Sequence, residues 1–286
     1  MSWPCGQSLR KHYLAPAMDL AYRSMGSGPP LVLIHGTGGS WEAWASVIDL
    51  LAAHRRVFAI DLPGFGASSP LPAESPPSVP ALASAVADWM VEKGLERAHV
   101  AGNSFGGAIA LELAKHGCAA TVTALSPIGF SNRWEFAYGA ASLRITHAGA
   151  RLTSPVAPLL FGNRLGRTIA LWQATARPWR MSGEAAVRAS RAMAAAPAFR
   201  AAVKEASDYR FSGSLDVPVT LAWGTRDRLL LARQARRAQQ ALPDARFVPL
   251  RGCGHIPMTD DPGQVARALL GGSEASIATQ PAKISG

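Results

Sequence analysis

Short apolar runs alternate along the first half of the chain with longer stretches of helical spacing. Residues 31–34 are wholly apolar and rich in branched side chains, as strands buried on both faces of a sheet are. In residues 79–93, apolar positions instead recur every three or four residues, which predicts an amphipathic helix. This alternation predicts βαβ units, a mostly parallel sheet and helices on both of its faces. The runs that predict strands are residues 18–22, 31–34, 57–60, 99–101, 121–125, 217–223 and 246–250.

The alternation lapses near residue 129 and resumes near residue 215. Between these points the pattern is helical only, with interruptions at glycine and proline residues, and we interpret it as an inserted helical cap. Small and polar residues after Leu270 predict a disordered tail. The predicted division is a core of residues 1–128 and 215–270, a cap of residues 129–214 and a tail of residues 271–286.

The composition is that of an ordinary globular protein. At 286 residues, with 48% hydrophobic and 17% charged residues, the chain holds one large core or a core with an inserted subdomain. No continuous apolar stretch is long enough to span a bilayer, and the N-terminus lacks the basic and apolar regions of a secretory signal. We therefore expect a cytoplasmic protein with no membrane partner.

The chain is basic, with a formal net charge of +10. The arginines are scattered over alanine-rich helical patterns, and no basic run interleaves with aromatic residues, so we expect a solvated surface and no nucleic-acid partner. A narrower alternative stays open, in which some arginines ring a pocket for an acidic substrate. The three cysteines lie far apart and show no metal-ligand spacing, so no metal site is expected.

A strand, a sharp turn and a helix meet at residues 102–106, which read Gly-Asn-Ser-Phe-Gly. This is the setting that gives a G-x-S-x-G match its meaning, because the turn lifts the serine clear of the sheet. A Cβ at either flanking glycine would clash with neighbouring backbone, so glycine is expected there. Free N–H groups at the helix N-terminus favour developing negative charge beside the hydroxyl. We predict that Ser104 is a nucleophile.

A serine hydroxyl needs a base within hydrogen-bond reach, and the base needs an orienting acid. Of the seven histidines, His255 follows a late strand in a Gly-x-Gly-His loop, at the carboxyl edge of the predicted sheet. Asp227 lies in the turn after the preceding strand, so it is the predicted acid. Asp61 also ends a strand, but its Asp-x-Pro-Gly setting suggests that it braces a turn. We rank it below Asp227.

Stabilisation of a tetrahedral oxyanion requires two backbone N–H groups. The residue after the nucleophile, Phe105, is expected to supply one of them. The other is expected from the glycine-rich loop after the first buried strand, in which Thr37 is best placed. His35, in the same loop, is predicted to hold the loop rather than to take part in chemistry.

The chain resembles the capped α/β-hydrolases that use a serine, an aspartate and a histidine. The matching segments occur in the order of that family: His-Gly-Thr-Gly at residues 35–38, Asp-Leu-Pro-Gly-Phe-Gly at 61–66, Gly-Asn-Ser-Phe-Gly at 102–106, Gly-Thr-Arg-Asp at 224–227 and Gly-His at 254–255. Each motif alone is weak, but their combination and order are specific. The resemblance implies an eight-stranded, mostly parallel sheet with a helical cap inserted after the sixth strand. It also implies acyl-enzyme chemistry without a metal or an organic cofactor.

Departures from related families narrow the expected chemistry. Serine at position 104 disfavours the similar haloalkane dehalogenases and epoxide hydrolases, which use aspartate there. The Gly-Asn-Ser-Phe-Gly-Gly segment also resembles carbon–carbon hydrolases of ring-cleavage products, but those usually carry tryptophan directly after the histidine, where this chain has Ile256. Haloperoxidase-like members that lack a cofactor share the three residues and stay open.

We predict a serine hydrolase that cleaves a small-molecule carboxylic ester. Lactone, amide or carbon–carbon bond hydrolysis on the same residues is one alternative, and a non-hydrolytic, ligand-binding member of the fold is another. The oligomeric state, the acyl group and the alcohol group are left open by the sequence. The cap is expected to roof an apolar pocket. Candidate lining residues are Trp134, Phe136, Trp172, Trp179 and Phe211.

Overall fold

A computed structural model describes residues 18–274 and contains one central sheet of seven strands. The strands are β1 (Tyr22–Met25), β2 (Pro30–Ile34), β3 (Arg56–Ile60), β4 (His99–Asn103), β5 (Thr121–Leu125), β6 (Val219–Gly224) and β7 (Arg246–Leu250). Their order across the sheet is β1-β3-β2-β4-β5-β6-β7. β1 pairs antiparallel with β3, and the other described pairs are parallel. The predicted mostly parallel α/β sheet is confirmed.

The count of eight strands implied by the family resemblance is wrong for residues 18–274, which form seven. The apolar runs in the sequence account for all seven, with the first displaced to Tyr22–Met25 at the antiparallel edge. No further apolar run in these residues could be buried between two neighbouring strands, so no segment was available for an eighth.

Helices cover both faces of the sheet because the side chains of each central strand alternate between two apolar clusters. Val32 and Ile34 of β2 contact one cluster, whereas Leu31 and Leu33 contact the other. The first cluster includes helices α2 (Val79–Glu92), α3 (Phe105–Lys115) and α9 (Ala232–Ala241), and the second includes α1 (Ala45–Ala52) and α11 (Pro262–Glu274). A short helix, α10 (Pro257–Asp260), precedes α11.

The last helix continues to Glu274 and so includes the first four residues of the predicted tail. The glycines at its end mark close packing rather than a break. A Cβ at Gly272 would lie 2.4 Å from Thr123 Oγ1 and 3.0 Å from Thr220 Oγ1, so only glycine allows the helix to approach β5 and β6 there. Arg55 Nη2 donates to Ser273 Oγ at 2.8 Å in the same buried region. Residues 275–286 of the predicted tail lie outside the described residues.

Between β5 and β6 the chain forms helices and no strand in its described residues, as the lapse of the alternation predicts. We refer to residues 133–205 as the insert. Gly149, a predicted interruption, lies inside its first helix without breaking it. The insert contains α4 (Arg133–Thr153), α5 (Ala157–Gly162), α6 (Arg164–Leu171), α7 (Gly183–Ala195) and α8 (Phe199–Glu205).

A buried carboxylate joins the insert to the sheet domain. Glu135 lies in the first turn of α4, where it forms a capping box with Asn132. Its carboxylate pairs with Arg233 and Arg237 of α9. Since an unpaired buried carboxylate is very costly, these two partners fix the start of α4 against α9.

Within residues 18–274, no helix is both long and apolar enough to cross a bilayer.

Candidate active site

Ser104 occupies the junction between β4 and α3 in a strained conformation. Its φ is 58° and its ψ is −113°, a combination that a residue with a Cβ rarely adopts. Ser104 N–H donates to the Leu125 carbonyl of β5 at 2.9 Å, which holds the turn to the neighbouring strand. The turn therefore presents Ser104 at the carboxyl edge of the sheet and at the N-terminus of α3, as predicted.

The glycines that flank the turn are required by close backbone contacts. A Cβ at Gly102 would lie 2.1 Å from the Gly106 carbonyl oxygen. A Cβ at Gly106 would lie 2.3 Å from the Ile34 carbonyl oxygen of β2. The helix α3 thus packs directly on the backbone of the sheet, and the sequence-based expectation for both positions is confirmed.

His255 and Asp227 form a buried hydrogen-bonded pair. Nδ1 of His255 lies 2.9 Å from Oδ2 of Asp227, and both side chains are almost fully buried. A carboxylate accepts, so Nδ1 carries a proton, and in the neutral imidazole Nε2 is then the nitrogen with the lone pair. The other oxygen, Oδ1, accepts from the backbone N–H groups of Leu229 and Leu230 at 2.9 and 2.8 Å. These two bonds fix the carboxylate with one oxygen aimed at the imidazole.

The turn that carries Asp227 and the loop that carries His255 follow neighbouring parallel strands, β6 and β7. Arg226 N–H donates to the Cys253 carbonyl at 2.8 Å. A Cβ at Gly224 would lie 2.2 Å from the Gly254 carbonyl oxygen, so glycine allows the loop to lie against the turn. The predicted proximity of Asp227 and His255 is confirmed by this pairing.

Asn103, the residue before Ser104, binds the backbone of the histidine loop. Its side-chain Nδ2 donates to the His255 carbonyl at 3.0 Å and to the Leu125 carbonyl at 3.2 Å. One buried amide group therefore connects the serine turn to the histidine loop, although Asn103 and His255 are 152 residues apart in sequence. Sequence reasoning assigned Asn103 no role, because the signal is a contact with a distant backbone carbonyl.

The loop after β2 lies against the nucleophile. A Cβ at Gly36 would lie 3.3 Å from Cβ of Ser104. His35, fully buried, accepts from Leu62 N–H through Nε2 at 3.0 Å, and its Nδ1 lies 2.8 Å from the Gly36 carbonyl. Since Nε2 accepts, Nδ1 carries the proton and donates to that carbonyl. Burial lowers the pKa of His35 below the ordinary 6.5, which favours this neutral form.

The His35 bond also sets the direction of the Thr37 N–H. In a trans peptide the carbonyl and the N–H of the same unit point in opposite directions. The Gly36 carbonyl faces His35 and also accepts from Gly39 N–H at 3.0 Å. The Thr37 N–H of that peptide therefore points away from the His35 ring. Phe105, the other predicted donor, is the first residue of α3, where backbone N–H groups have no partner within the helix.

Asp61 braces a turn and does not take part in the pair with His255. Its Oδ1 accepts from Trp41 N–H at 2.7 Å and its Oδ2 from Ala67 N–H at 2.9 Å. Ser68 Oγ donates to its backbone carbonyl at 2.8 Å. One carboxylate oxygen is thus engaged by the loop that follows β3 and the other by Trp41 in the segment after β2, in agreement with the bracing role that the Asp-x-Pro-Gly setting suggests.

Asp260, which sequence reasoning did not single out, connects the histidine loop to the insert. Its buried carboxylate accepts from Gly254 N–H at 2.7 Å, Ala176 N–H at 2.9 Å and Arg177 N–H at 2.6 Å. Ile256 N–H donates in turn to the Ala174 carbonyl at 2.8 Å. The residues on either side of His255 are therefore both held by the segment of the insert that follows α6.

The aromatic residues expected to line a pocket do not form one cluster. Trp134 is 84% exposed on the outside of α4, and Phe211 is buried against Phe130. Phe136 is partly buried and packs against the core. Trp172 and Trp179 line a surface groove of about 580 Å³ together with Arg228, the neighbour of Asp227. Helical spacing groups these aromatic residues but does not tell which side of each helix faces inward.

Within residues 18–274, no group of three or more His, Cys, Asp or Glu side chains is arranged to hold a metal ion. The polar groups gathered at this edge of the sheet are a serine, an imidazole, a carboxylate and backbone N–H groups. These are the elements of nucleophilic acyl transfer.

Similar proteins share this fold and sequence pattern. The chain is 29% identical over 259 residues to an uncharacterized protein of Mycobacterium bovis, covering 85% of this chain and 75% of that one. It is 41% identical over 97 residues to a pimeloyl-acyl-carrier-protein methyl ester esterase of Aeromonas hydrophila, covering 34% of this chain and 36% of the esterase. A thermophilic esterase from Thermogutta terrifontis superposes with a TM-score of 0.70 at 19% identity, covering 91% of this chain and 94% of the esterase.

A sequence model of the alpha/beta hydrolase family matches residues 31–268. The match includes the serine turn, the aspartate turn and the histidine loop described above. The chain belongs to the alpha/beta hydrolase family.

Proposed function

We propose that the protein is a serine hydrolase that cleaves carboxylic esters through an acyl-enzyme intermediate. The observation that carries this proposal is the buried His255–Asp227 pair, in which the backbone carbonyl of His255 accepts from Asn103, the residue before Ser104. The pair leaves Nε2 of the imidazole as a base, and the strained serine turn supplies a hydroxyl at the same sheet edge. The esterases among the similar proteins also support ester cleavage.

In the proposed reaction, Ser104 Oγ attacks the acyl carbon while Nε2 of His255 takes the hydroxyl proton. The N–H groups of Phe105 and Thr37 bind the oxyanion of the tetrahedral intermediate. The C–O bond to the leaving group then breaks, and His255 returns the proton to the departing alcohol. Asp227 keeps Nδ1 protonated and stabilises the imidazolium.

Deacylation repeats this sequence with water as the nucleophile. His255 takes a proton from water as its oxygen attacks the acyl carbon, and the same N–H groups bind the second oxyanion. Ser104 leaves with the proton that His255 returns, and the carboxylic acid is released. Each step uses only the side chains and backbone groups named here.

We also propose that residues 129–214 act as a cap over this site. The support is that Ala174 binds Ile256 of the histidine loop, and that Ala176 and Arg177 bind Asp260, which also binds Gly254 of that loop. If the cap selects substrates, Trp172→Ala should change the ratio of rates for short and long acyl chains. An equal proportional loss for both would argue that Trp172 only supports the fold. A cytoplasmic location and the lack of a nucleic-acid partner stay predictions from the sequence.

A series of p-nitrophenyl esters of increasing acyl length tests the reaction class. Turnover should be lost in Ser104→Ala and retained in Ser126→Ala, a matched control in which another buried serine with positive φ is changed. Labelling by a fluorophosphonate should depend on Ser104. Labelling without ester turnover would point to lactone, amide or carbon–carbon substrates. A panel of these substrates would then distinguish the three reactions. Neither labelling nor turnover would favour a ligand-binding member of the fold.

A further inference from the structure

The insert concentrates exposed apolar side chains. Among the described residues, ten of the twelve large apolar side chains that are exposed belong to residues 133–205. Scattered exposed apolar residues are ordinary on a protein surface, but a concentration of this kind marks an interaction surface. The ten are Trp134, Tyr138, Ile145, Leu152, Val156, Leu159, Leu165, Ile169, Trp172 and Trp179.

The α4 helix exposes a row of large apolar residues on its outer side. Its inward face carries the partly buried Phe136 and Leu143 together with buried residues that are small or polar, which are Glu135, Gly139, Ala140, His147 and Ala150. Trp134, Tyr138, Ile145 and Leu152 are spaced by four, seven and seven residues, which places them within about 40° of one another around the helix. An exposed row of this kind is unusual for a helix on a globular core, where the outer face is polar.

Three exposed arginines border this stripe along one edge. Arg133, Arg144 and Arg151 each directly precede an exposed apolar residue, so they lie about 100° from the stripe on the same side. The pattern recurs in α6, where exposed Arg164 precedes exposed Leu165. We call the α4 residues of this pattern the basic apolar surface: Arg133, Trp134, Tyr138, Arg144, Ile145, Arg151 and Leu152.

The charge of the insert is one-sided. Residues 133–205 contain eleven Lys or Arg against three Asp or Glu, so they carry +8 of the whole chain's +10. Between residues 136 and 183 the sequence has no acidic residue, and Glu135 is buried in its ion pairs with α9. The basic apolar surface therefore presents cations and apolar side chains without an exposed anion between them.

We propose that the basic apolar surface docks the protein onto an anionic lipid bilayer. A helix of 21 residues is about 31 Å long and lies in the plane of the membrane interface, with its large apolar side chains at the boundary between headgroups and acyl chains. The flanking arginines bind lipid phosphates. The sequence-based expectation of no membrane partner was based only on the lack of a segment that could span a bilayer, and docking onto a bilayer surface needs no such segment. Docking also does not depend on the proposed catalytic function.

The charge pattern favours a lipid surface over a second copy of the chain. In a dimer formed through this surface, arginines of the two copies would meet without any acidic partner, and juxtaposed like charges cost several kcal/mol. An anionic bilayer instead supplies phosphates for every arginine and an apolar phase for the ring of Trp134. A dimer formed through this surface is the competing outcome of the experiments described next.

Vesicle flotation of the full-length protein tests the proposal directly. Vesicles of phosphatidylcholine alone are compared with vesicles that also contain phosphatidylglycerol, at low and at high salt. The protein should float with the anionic vesicles, more weakly at high salt, and should stay unbound with the neutral ones. Ile145→Asp combined with Leu152→Asp should abolish binding, since charges do not insert into the apolar layer.

Two double variants that remove the same charge distinguish the effect of the arginines on this surface from the effect of the net charge of the protein. Arg144→Gln with Arg151→Gln should lower the partition coefficient for anionic vesicles by roughly 10- to 30-fold. Arg236→Gln with Arg251→Gln removes the same charge from exposed positions outside the insert and should leave binding within about 3-fold. Circular dichroism and melting temperature verify that each variant folds, which the exposed positions of all six side chains favour.

Several outcomes would overturn the proposal. The first is that the wild-type protein does not float with anionic vesicles. The second is that both charge-matched pairs of variants weaken binding equally, which would mean that net charge alone attracts the protein. The third is that analytical ultracentrifugation shows a dimer that Ile145→Asp with Leu152→Asp dissociates, because the surface would then be occupied by a second copy.

Discussion

The side-chain amide of Asn103 donates to the backbone carbonyl of His255 at 3.0 Å. Asn103 directly precedes the strained Ser104, so this bond connects the turn of the proposed nucleophile to the loop of the proposed base. The same amide reaches the Leu125 carbonyl at 3.2 Å, which uses both of its N–H groups. The relative position of the two loops therefore depends on one buried side chain.

Replacing Asn103 with Asp removes both donors and leaves the His255 carbonyl unsatisfied, while the Leu125 carbonyl keeps its bond from Ser104 N–H. An unsatisfied group costs about 1–3 kcal/mol, and we expect kcat to fall roughly 10- to 100-fold because the imidazole loop is displaced. Asn163→Ala is the matched control, since Asn163 caps α6 through Gly166 N–H, far from Ser104 in sequence. The control should lower the melting temperature and leave kcat unchanged. Equal kcat in both variants would show that Asn103 does not position the loop.

His35 is expected to affect the oxyanion donors and not the proton transfer. His35→Ala removes one of the two bonds that direct the Gly36 carbonyl and leaves only the bond from Gly39 N–H, so the Thr37 N–H is held less firmly. We expect a loss of kcat near the 10²- to 10³-fold typical of a missing oxyanion donor, with KM changed much less. His99→Ala serves as the comparison, because His99 is also buried and bonded but to Thr121. If both variants lose activity in the same proportion, His35 acts only on stability.

Asp227 and Asp61 both follow a strand, but we expect different effects when each is replaced by asparagine. Asp227→Asn should keep the fold but select the wrong imidazole tautomer, with a roughly 10⁴-fold loss of turnover. Asp61→Asn should lower the melting temperature more than the turnover, because the backbone N–H groups of Trp41 and Ala67 lose a charged acceptor. The pair of measurements contradicts the assignment if Asp61→Asn is stable but inactive while Asp227→Asn remains active.

Asp260 is expected to couple the insert to the histidine loop. Asp260→Asn replaces one acceptor oxygen by a donor that faces backbone N–H groups and removes the negative charge from the other, which weakens the bonds to Gly254, Ala176 and Arg177. Amide hydrogen exchange should then accelerate together in residues 174–177 and 252–256, while β2 and β4 keep their protection. Faster exchange in only one of the two segments would show that Asp260 does not join them.

The sequence points to the proposed site residues because the chemistry requires particular residue types at particular strand ends. Ser104, Asp227 and His255 each follow a strand of the sheet, and parallel strands bring their carboxyl ends to one edge. The choice of Asp227 over Asp61 follows from strand adjacency and from the Asp-x-Pro-Gly setting of Asp61. Asn103 and Asp260 escape such reasoning because they act on backbone groups of distant loops, and no local pattern records those contacts.

The fold was less predictable where one sequence pattern is compatible with two different structures. Helical spacing in α4 groups Trp134, Ile145 and Leu152 on one face, but it does not tell whether that face is buried or exposed. The glycines at residues 271–272 mark a helix end in one context and close helix–sheet packing in another, and only the contact of Gly272 with Thr123 distinguishes them. The eighth strand came from resemblance rather than from an apolar run, and it is not found in residues 18–274.

The most direct test of the account is to trap the covalent intermediate. The protein is mixed with p-nitrophenyl acetate, quenched with acid during the first turnover and digested for peptide mass spectrometry. The account predicts an acetyl group on Ser104 that forms with the burst of p-nitrophenol and is absent in Ser104→Ala. An acetyl group on another residue, or hydrolysis by Ser104→Ala at the wild-type rate, would contradict it.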